Sequence, residues 1–227
     1  MGQLPWAGRE VETAAGIIGG DYRLEYEATK DRFLTEAGNA GILHLSMHGL
    51  LRPNPMESAL VFRGDGEKDF ALLTMGEVLG GHYPAELTVL SACHTGGGDL
   101  QTSEGMQSIG RAFMAAGSQA TITSAWEARD EATHDILVAF YEALAGGETK
   151  DVALQGAIEA YLQNGTAADR RPENWANLTL TGSVAPLKKN RTAWVAIVLG
   201  LGIALFMGWW ALSRSKNKAG TQDAGLG

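Results

Sequence analysis

A single cysteine, Cys93, occurs among the 227 residues. With no second thiol the chain closes no internal disulfide, so it is not a disulfide-stapled scaffold, and nothing in its cysteine usage points to an oxidising compartment. That thiol is either inert packing or a reagent, and the difference governs what the protein does. Basic charge is scarce as well. Of 18 Lys and Arg, six lie at or beyond Lys188, whereas of 26 Asp and Glu only Asp223 does, so residues 1–187 hold 12 basic against 25 acidic groups, a net −13. Affinity for a polyanion rests on clustered Lys and Arg, so this acidic body argues against nucleic acid as a partner. No secretory-type apolar run opens the chain between Met1 and Ile18. A composition 45% apolar and 19% charged is core-forming, with room for one α/β domain or two small ones.

One long apolar run is present, TAWVAIVLGLGIALFMGWWAL from Thr192 to Leu212, without a charge in 21 positions. As a helix it spans about 30 Å, the thickness of a bilayer's hydrocarbon layer. Trp194 near one end, Trp209 and Trp210 near the other, and basic residues beyond both ends match the interfacial pattern of a single transmembrane helix. The alternative is a buried core helix, which is usually shorter. Basic residues flank the two ends equally, so orientation rests on the short C-terminal tail, which favours a cytoplasmic body held by a C-terminal anchor. Ala196, Gly200, Ala204 and Gly208 recur every fourth residue, a spacing that suits a homodimer through close helix approach. The organisation read from the chain is a domain over residues 1–182, a basic linker over 183–191, a membrane helix over 192–212 and a polar tail over 213–227.

In the first part, helical and strand-like stretches alternate, which predicts an α/β layer fold. Helices are expected over Ala7–Ile18, Ala28–Ala37, Ser103–Ala116, Glu131–Leu144 and Thr149–Gln163, several ended by glycine. Strands are expected over Ile42–Met47, Leu87–Ala92, Ala120–Trp126 and Trp175–Leu180, with a hairpin of Ala59–Phe62 and Phe70–Leu73 around Asp65-Gly66 and a helical turn over Gly76–Leu79. Strands separated by helices are most simply parallel, and ligands gather beyond the carboxyl ends of such strands. The residues just past the apolar runs are His48-Gly49, Cys93-His94-Thr95-Gly96, and Trp126-Glu127 with Asp130.

A thiol and an imidazole from neighbouring strand ends are what a cysteine hydrolase needs, together with backbone N–H groups for the oxyanion. Cys93 and His48 suit the first two roles, and the amides of Gly49 and Cys93 suit the third. Buried packing is the alternative for Cys93. Metal binding by His44, His48, Cys93 and His94 is disfavoured, because four residues along a strand separate the two histidines by about 13 Å. No metal or cofactor is called for.

The blocks HLSMHG and SACHTGGG, then SEGMQSIGRAFMAAGSQATITSAWEARDEATHDILVAFYEALAGG and RPENWANLTLTG, resemble the CHAT domain, a bacterial branch of the caspase and separase peptidase clan. The likeness runs from about Leu4 to Gly182. It implies a caspase-like three-layer α/β fold with a mostly parallel sheet flanked by helices, and a Cys-His dyad that cleaves peptide bonds. Carried over by motif, the catalytic histidine falls on His48, the nucleophile on Cys93 and the oxyanion amides on Gly49 and Cys93, while His44 falls on a non-catalytic strand position. Trp126 and Asp130 fall on the motif whose loop lines the substrate pocket. The separase position that reads a basic side chain falls on His134, beside Asp135, which does not support a preference for Arg or Lys.

Relatives usually carry further strands before the Leu-Pro found here as Leu4-Pro5, so the chain is expected to begin inside the domain with an edge of the sheet missing. Many also carry a tetratricopeptide or other sensing array, which implies control by a partner or by a sensor outside this chain. The expected activity is a membrane-anchored cysteine endopeptidase acting on protein substrates. The alternative is a catalytically silent caspase-like interaction scaffold at the membrane.

Overall fold

Helix α1 (Ala7–Ile18) stops at Gly19, whose φ of 72° lies in the left-handed region and whose N–H bonds back to the Ala15 carbonyl. Helix α2 (Lys30–Glu36) starts at Thr29, where the side-chain oxygen accepts from the Arg32 amide. Strand β1 (Ile42–Leu45), at the edge of its sheet, alternates in burial with Leu43 and Leu45 inward. A short antiparallel sheet follows, of β2 (Gly49–Leu50), β3 (Ala59–Arg63) and β4 (Phe70–Thr74). Thr74 and Glu77 then form a reciprocal capping box that opens α3 (Met75–Gly80). After β5 (Leu87–Leu90) come α4 (Thr102–Ala115), β6 (Ala120–Ser124), α5 (Asp130–Gly146), α6 (Lys150–Asn164), α7 (Pro172–Trp175) and β7 (Leu178–Gly182).

The computed structural model describes residues 6–64, 70–91, 102–126 and 129–188, with side chains from residue 106 onward in α4. Cys93, the Asp65-Gly66 turn, Glu127 and the expected membrane helix at 192–212 with its stripe of Ala196, Gly200, Ala204 and Gly208 lie outside the described residues. Among the described residues no helix is long and apolar enough to cross a membrane.

The main sheet runs in the order β1-β5-β6-β7. β1 pairs with β5 in parallel, from Ile42 opposite Leu87 to Leu45 opposite Leu90, and β5 pairs with β6 in parallel. β7 lies antiparallel to β6 although helices separate the two, and it is the exception in an otherwise parallel main sheet. The reason is the number of helices in between. A single helix returns the chain to the start of the sheet, but α5 and α6 pack along one another as a pair, so the chain re-enters from the opposite end. The last strand also starts later than expected. Pro172 supplies the fixed φ of a first helical turn, and residues 172–175 coil as α7 with the Trp175 indole N–H donating to the Arg170 carbonyl at 3.1 Å.

Layers form on both faces of the sheet. Leu43, Leu45 and Leu90 join Phe33 of α2, Phe62 of β3, and Met106, Ile109 and Phe113 of α4 on one side. Leu87, Val89 and Ile122 join Ala14 of α1, Ile136 to Leu144 of α5, and Leu154 of α6 on the other. The three-layer α/β architecture with a mostly parallel sheet is therefore present.

Two contacts fix the end of the domain. Lys150 is buried at the start of α6, where its Nζ donates to the Ala185 carbonyl at 2.6 Å and its amide donates to the Val184 carbonyl at 2.9 Å. Gly182, the last residue of β7, has φ 101°, and a Cβ there would stand 2.5 Å from the Gln119 carbonyl oxygen. Gly182→Ala therefore adds backbone strain to a clash with main chain and is expected to cost about 2 kcal/mol or more. Urea unfolding read by circular dichroism checks it; an unchanged midpoint would contradict the close approach.

Candidate active site

The parallel order brings the carboxyl ends of β1, β5 and β6 to one edge. Past Leu45 the chain bends at Met47 and reaches His48, half-buried, with Gly49 buried as the first residue of β2. The His48 carbonyl accepts from the Val61 amide at 2.9 Å, so the backbone of His48 is held where the main sheet hands over to the small one. Ser91 follows β5 as the last described residue before the segment with Cys93. Beyond β6, the Ala125 amide donates to the Asn177 carbonyl at 2.7 Å, and Trp126 is 40% exposed with its indole N–H donating to the Glu173 carbonyl at 3.0 Å. His48, Gly49, Ser91 and Trp126 thus leave three adjacent strands on the same edge.

Asp130 opens α5 on that edge, next to Arg129, whose guanidinium pairs with Asp169 and Glu131, each at 2.9 Å. His134 lies one turn further along. Its ring packs against Trp6 with centroids 5.3 Å apart, and its buried Nδ1 has no hydrogen-bond partner among the described residues. Partial burial pushes the neighbouring Asp135 carboxyl above its ordinary range, while His134 pulls the other way.

A buried polar cluster beneath β1 and β5 is absent from the sequence-based candidates. The His44 Nε2 lies 2.7 Å from Glu10 Oε1 and 3.3 Å from Ser91 Oγ, and Ser91 Oγ donates to the same Glu10 oxygen at 2.5 Å. Tyr141 of α5, fully buried, sits 3.0 Å from His44 Nδ1. This is not a serine-hydrolase triad. A triad uses the two ring nitrogens separately, one for the nucleophile and one for the acid, whereas here Ser91 and Glu10 meet the same nitrogen. His44 is thereby committed inside the domain, and among the described residues no group of three or more His, Cys, Asp or Glu is gathered as a metal site. A sequence signal for the cluster does exist. Glu10 falls on the same helical stripe as the inward Ala14 and Ile17, and an acid on an inward stripe needs a buried donor.

Burial, and then the charge of Glu10, push the Tyr141 phenol well above its ordinary 10.0. The unfolded chain releases that proton first, so this group's contribution to stability is present below about pH 10 and declines as pH rises beyond it. Tyr141→Phe is therefore expected to lose less stability than the parent between about pH 9 and about pH 11 in denaturant unfolding, because only the parent carries that proton linkage. Equal losses would contradict it.

An α/β three-layer domain that delivers a histidine and a glycine from one strand end, beside the strand leading to the sole cysteine, has the architecture of the caspase-like group. The comparison of families agrees: the CHAT domain model matches residues 1–183, and the chain belongs to that family. Two relatives share the name tetratricopeptide repeat protein 28. The human protein is 27% identical over 215 residues, covering 80% of this chain and 8% of its own length. The mouse protein is 32% identical over 112 residues, covering 49% of this chain and 4% of its own. The chain therefore spans less than a tenth of either relative. Both are mammalian, so membership of the family does not by itself indicate the bacterial source expected from the sequence.

Proposed function

We propose that this chain is a cysteine endopeptidase in which Cys93 is the nucleophile and His48 the general acid and base. The observation that carries the reading is the strand register. Every β1 residue pairs with the residue 45 positions further on in β5, and Cys93 stands 45 positions after His48. Two adjacent parallel strands thus lead, after equal lengths of chain, to an imidazole and a thiol.

In the proposed cycle the Cys93 thiolate forms a bond to the scissile carbonyl carbon, and the amides of Gly49 and Cys93 receive the oxyanion. The C–N bond breaks as His48 gives its proton to the departing amine. Water, deprotonated by His48, then attacks the thioester, and the C–S bond breaks to restore the thiol. A free thiol with a pKa of about 8.5 is only a few per cent thiolate at neutral pH, and a nearby imidazolium raises that fraction. Trp126, Asp130 and His134 are the proposed substrate-side residues; the exposed Trp126 ring offers an apolar surface at the end of β6. The run 192–212 is the proposed membrane anchor, which would hold the domain near its protein substrates, and a partner or sensor is the proposed control.

The test is hydrolysis by the full-length chain, purified in mild detergent, of a peptide library varied at the residue before the cleaved bond. Cleavage that disappears in Cys93→Ala supports the reading. Cleavage unaffected by that substitution overturns it, and a lack of hydrolysis with every peptide favours the interaction scaffold.

A further inference from the structure

We infer that Glu10 is a positioning residue for the proposed dyad, tying the ends of β1 and β5 together at the point where the chain departs for His48 and Cys93. The inference rests on the endopeptidase reading above. The backbone ladder between β1 and β5 ends with Leu45 opposite Leu90. Ser91 is the next residue, and its hydroxyl is bound to Glu10, which also holds His44 of β1. One carboxylate oxygen on α1 therefore extends the tie between the two strands by one residue beyond their last pair.

Every donor finds an acceptor when the Tyr141 phenol donates to His44 Nδ1 while the His44 Nε2–H and the Ser91 hydroxyl both donate to Glu10. A shift of either strand then breaks a bond in a place sealed from water: Glu10 is 3% exposed, Ser91 7% and Tyr141 0%. Apolar residues of the same size would fill this space at equal or lower cost in stability, so the gain from the polar set lies in fixing geometry. The cluster touches neither His48 nor substrate and acts through the strands.

Cys93 is the sole thiol, so alkylation of the full-length chain by iodoacetamide, read by intact mass, reports on it alone. In the parent, reactivity is expected to persist well below the range of a free thiol, and to lose that low-pH arm in His48→Ala. The bonds from His44 and Ser91 both end on a single Glu10 oxygen, which Gln would keep, so the informative change is Glu10→Met, a side chain of similar length with no carboxylate acceptor. It is expected to move the profile toward that of His48→Ala, with about a tenfold loss of rate at neutral pH and a retained cooperative thermal transition. Should Glu10→Met fail to fold, Ser91→Ala removes a single hydroxyl and is expected to shift the profile the same way by a smaller amount. A Glu10→Met profile matching the parent while His48→Ala differs would overturn this inference and leave the dyad standing; identical profiles for parent and His48→Ala would overturn the dyad, and this inference with it.

Discussion

His48→Ala is expected to lower kcat/KM for peptide cleavage by about 10²–10⁴-fold, and Cys93→Ala to abolish turnover. The two differ because their roles differ. Without the sulfur there is no atom to form the acyl intermediate. Without the imidazole the sulfur remains, but its thiolate fraction at neutral pH falls and the departing amine leaves without a proton donor. Two losses at separate steps also predict a changed pH dependence. The His48→Ala protein should recover part of its rate as pH rises through the free-thiol range, because hydroxide then supplies the thiolate that the imidazolium no longer stabilises. Initial rates on one fluorogenic peptide across pH check this. A His48→Ala protein with the parent's rate and pH profile would remove His48 from the mechanism.

Phe113→Ala is expected to be the largest single loss of stability among the core positions. The ring is fully buried in α4, edge-on to Phe33 with centroids 6.3 Å apart and tilted against Tyr83 at 5.3 Å. It joins α2, the chain before β5 and α4 on one face of the sheet, so truncation opens a cavity that three elements would have to close together. The cost is about 3–5 kcal/mol. For a chain of this size that corresponds to a fall of about 6–20 °C in Tm. α4 also carries the chain away from the segment that contains Cys93, so loss of its anchor should reduce activity in proportion to unfolding. Calorimetry on the full-length variant tests this, and a Tm within about 2 °C of the parent would contradict the packing.

Most of the fold is legible in the sequence because its signals are local. α1 has the bounds that its composition and Gly19-Gly20 indicate, and β1, β5 and β6 lie within the apolar runs expected to be strands. The hairpin partners Ala59–Arg63 and Phe70–Thr74 likewise follow from two apolar runs on either side of Asp65-Gly66. What escapes is non-local. The antiparallel β7 depends on α5 and α6 folding back on one another, a tertiary event that no period within either helix records. The start of the last strand escapes because Trp175, a strand-favouring residue, is drawn into the turn that Pro172 begins.

The candidate site divides in the same way. His48 and Gly49 are visible as the residues that follow an apolar run, and the structure places them at the carboxyl edge of the sheet. Glu10, His44, Ser91 and Tyr141 are visible only once α1, β1, β5 and α5 are packed, since the closest two in sequence stand 34 positions apart. The sole hint is an acid on an inward helical stripe. A likeness of motif identifies the residues that perform chemistry far more readily than those that hold them in place.

The central claim is that Cys93 and His48 act as one reactive pair. The most direct measurement is covalent labelling of the full-length chain with a library of thiol-directed peptidyl electrophiles, comparing parent, His48→Ala and Cys93→Ala by intact mass. The account predicts rapid labelling that depends on the peptide sequence, is absent in Cys93→Ala and is strongly slowed in His48→Ala. Slow labelling that is indifferent to the peptide and unchanged by His48→Ala would contradict it, because the thiol would then be accessible but not activated.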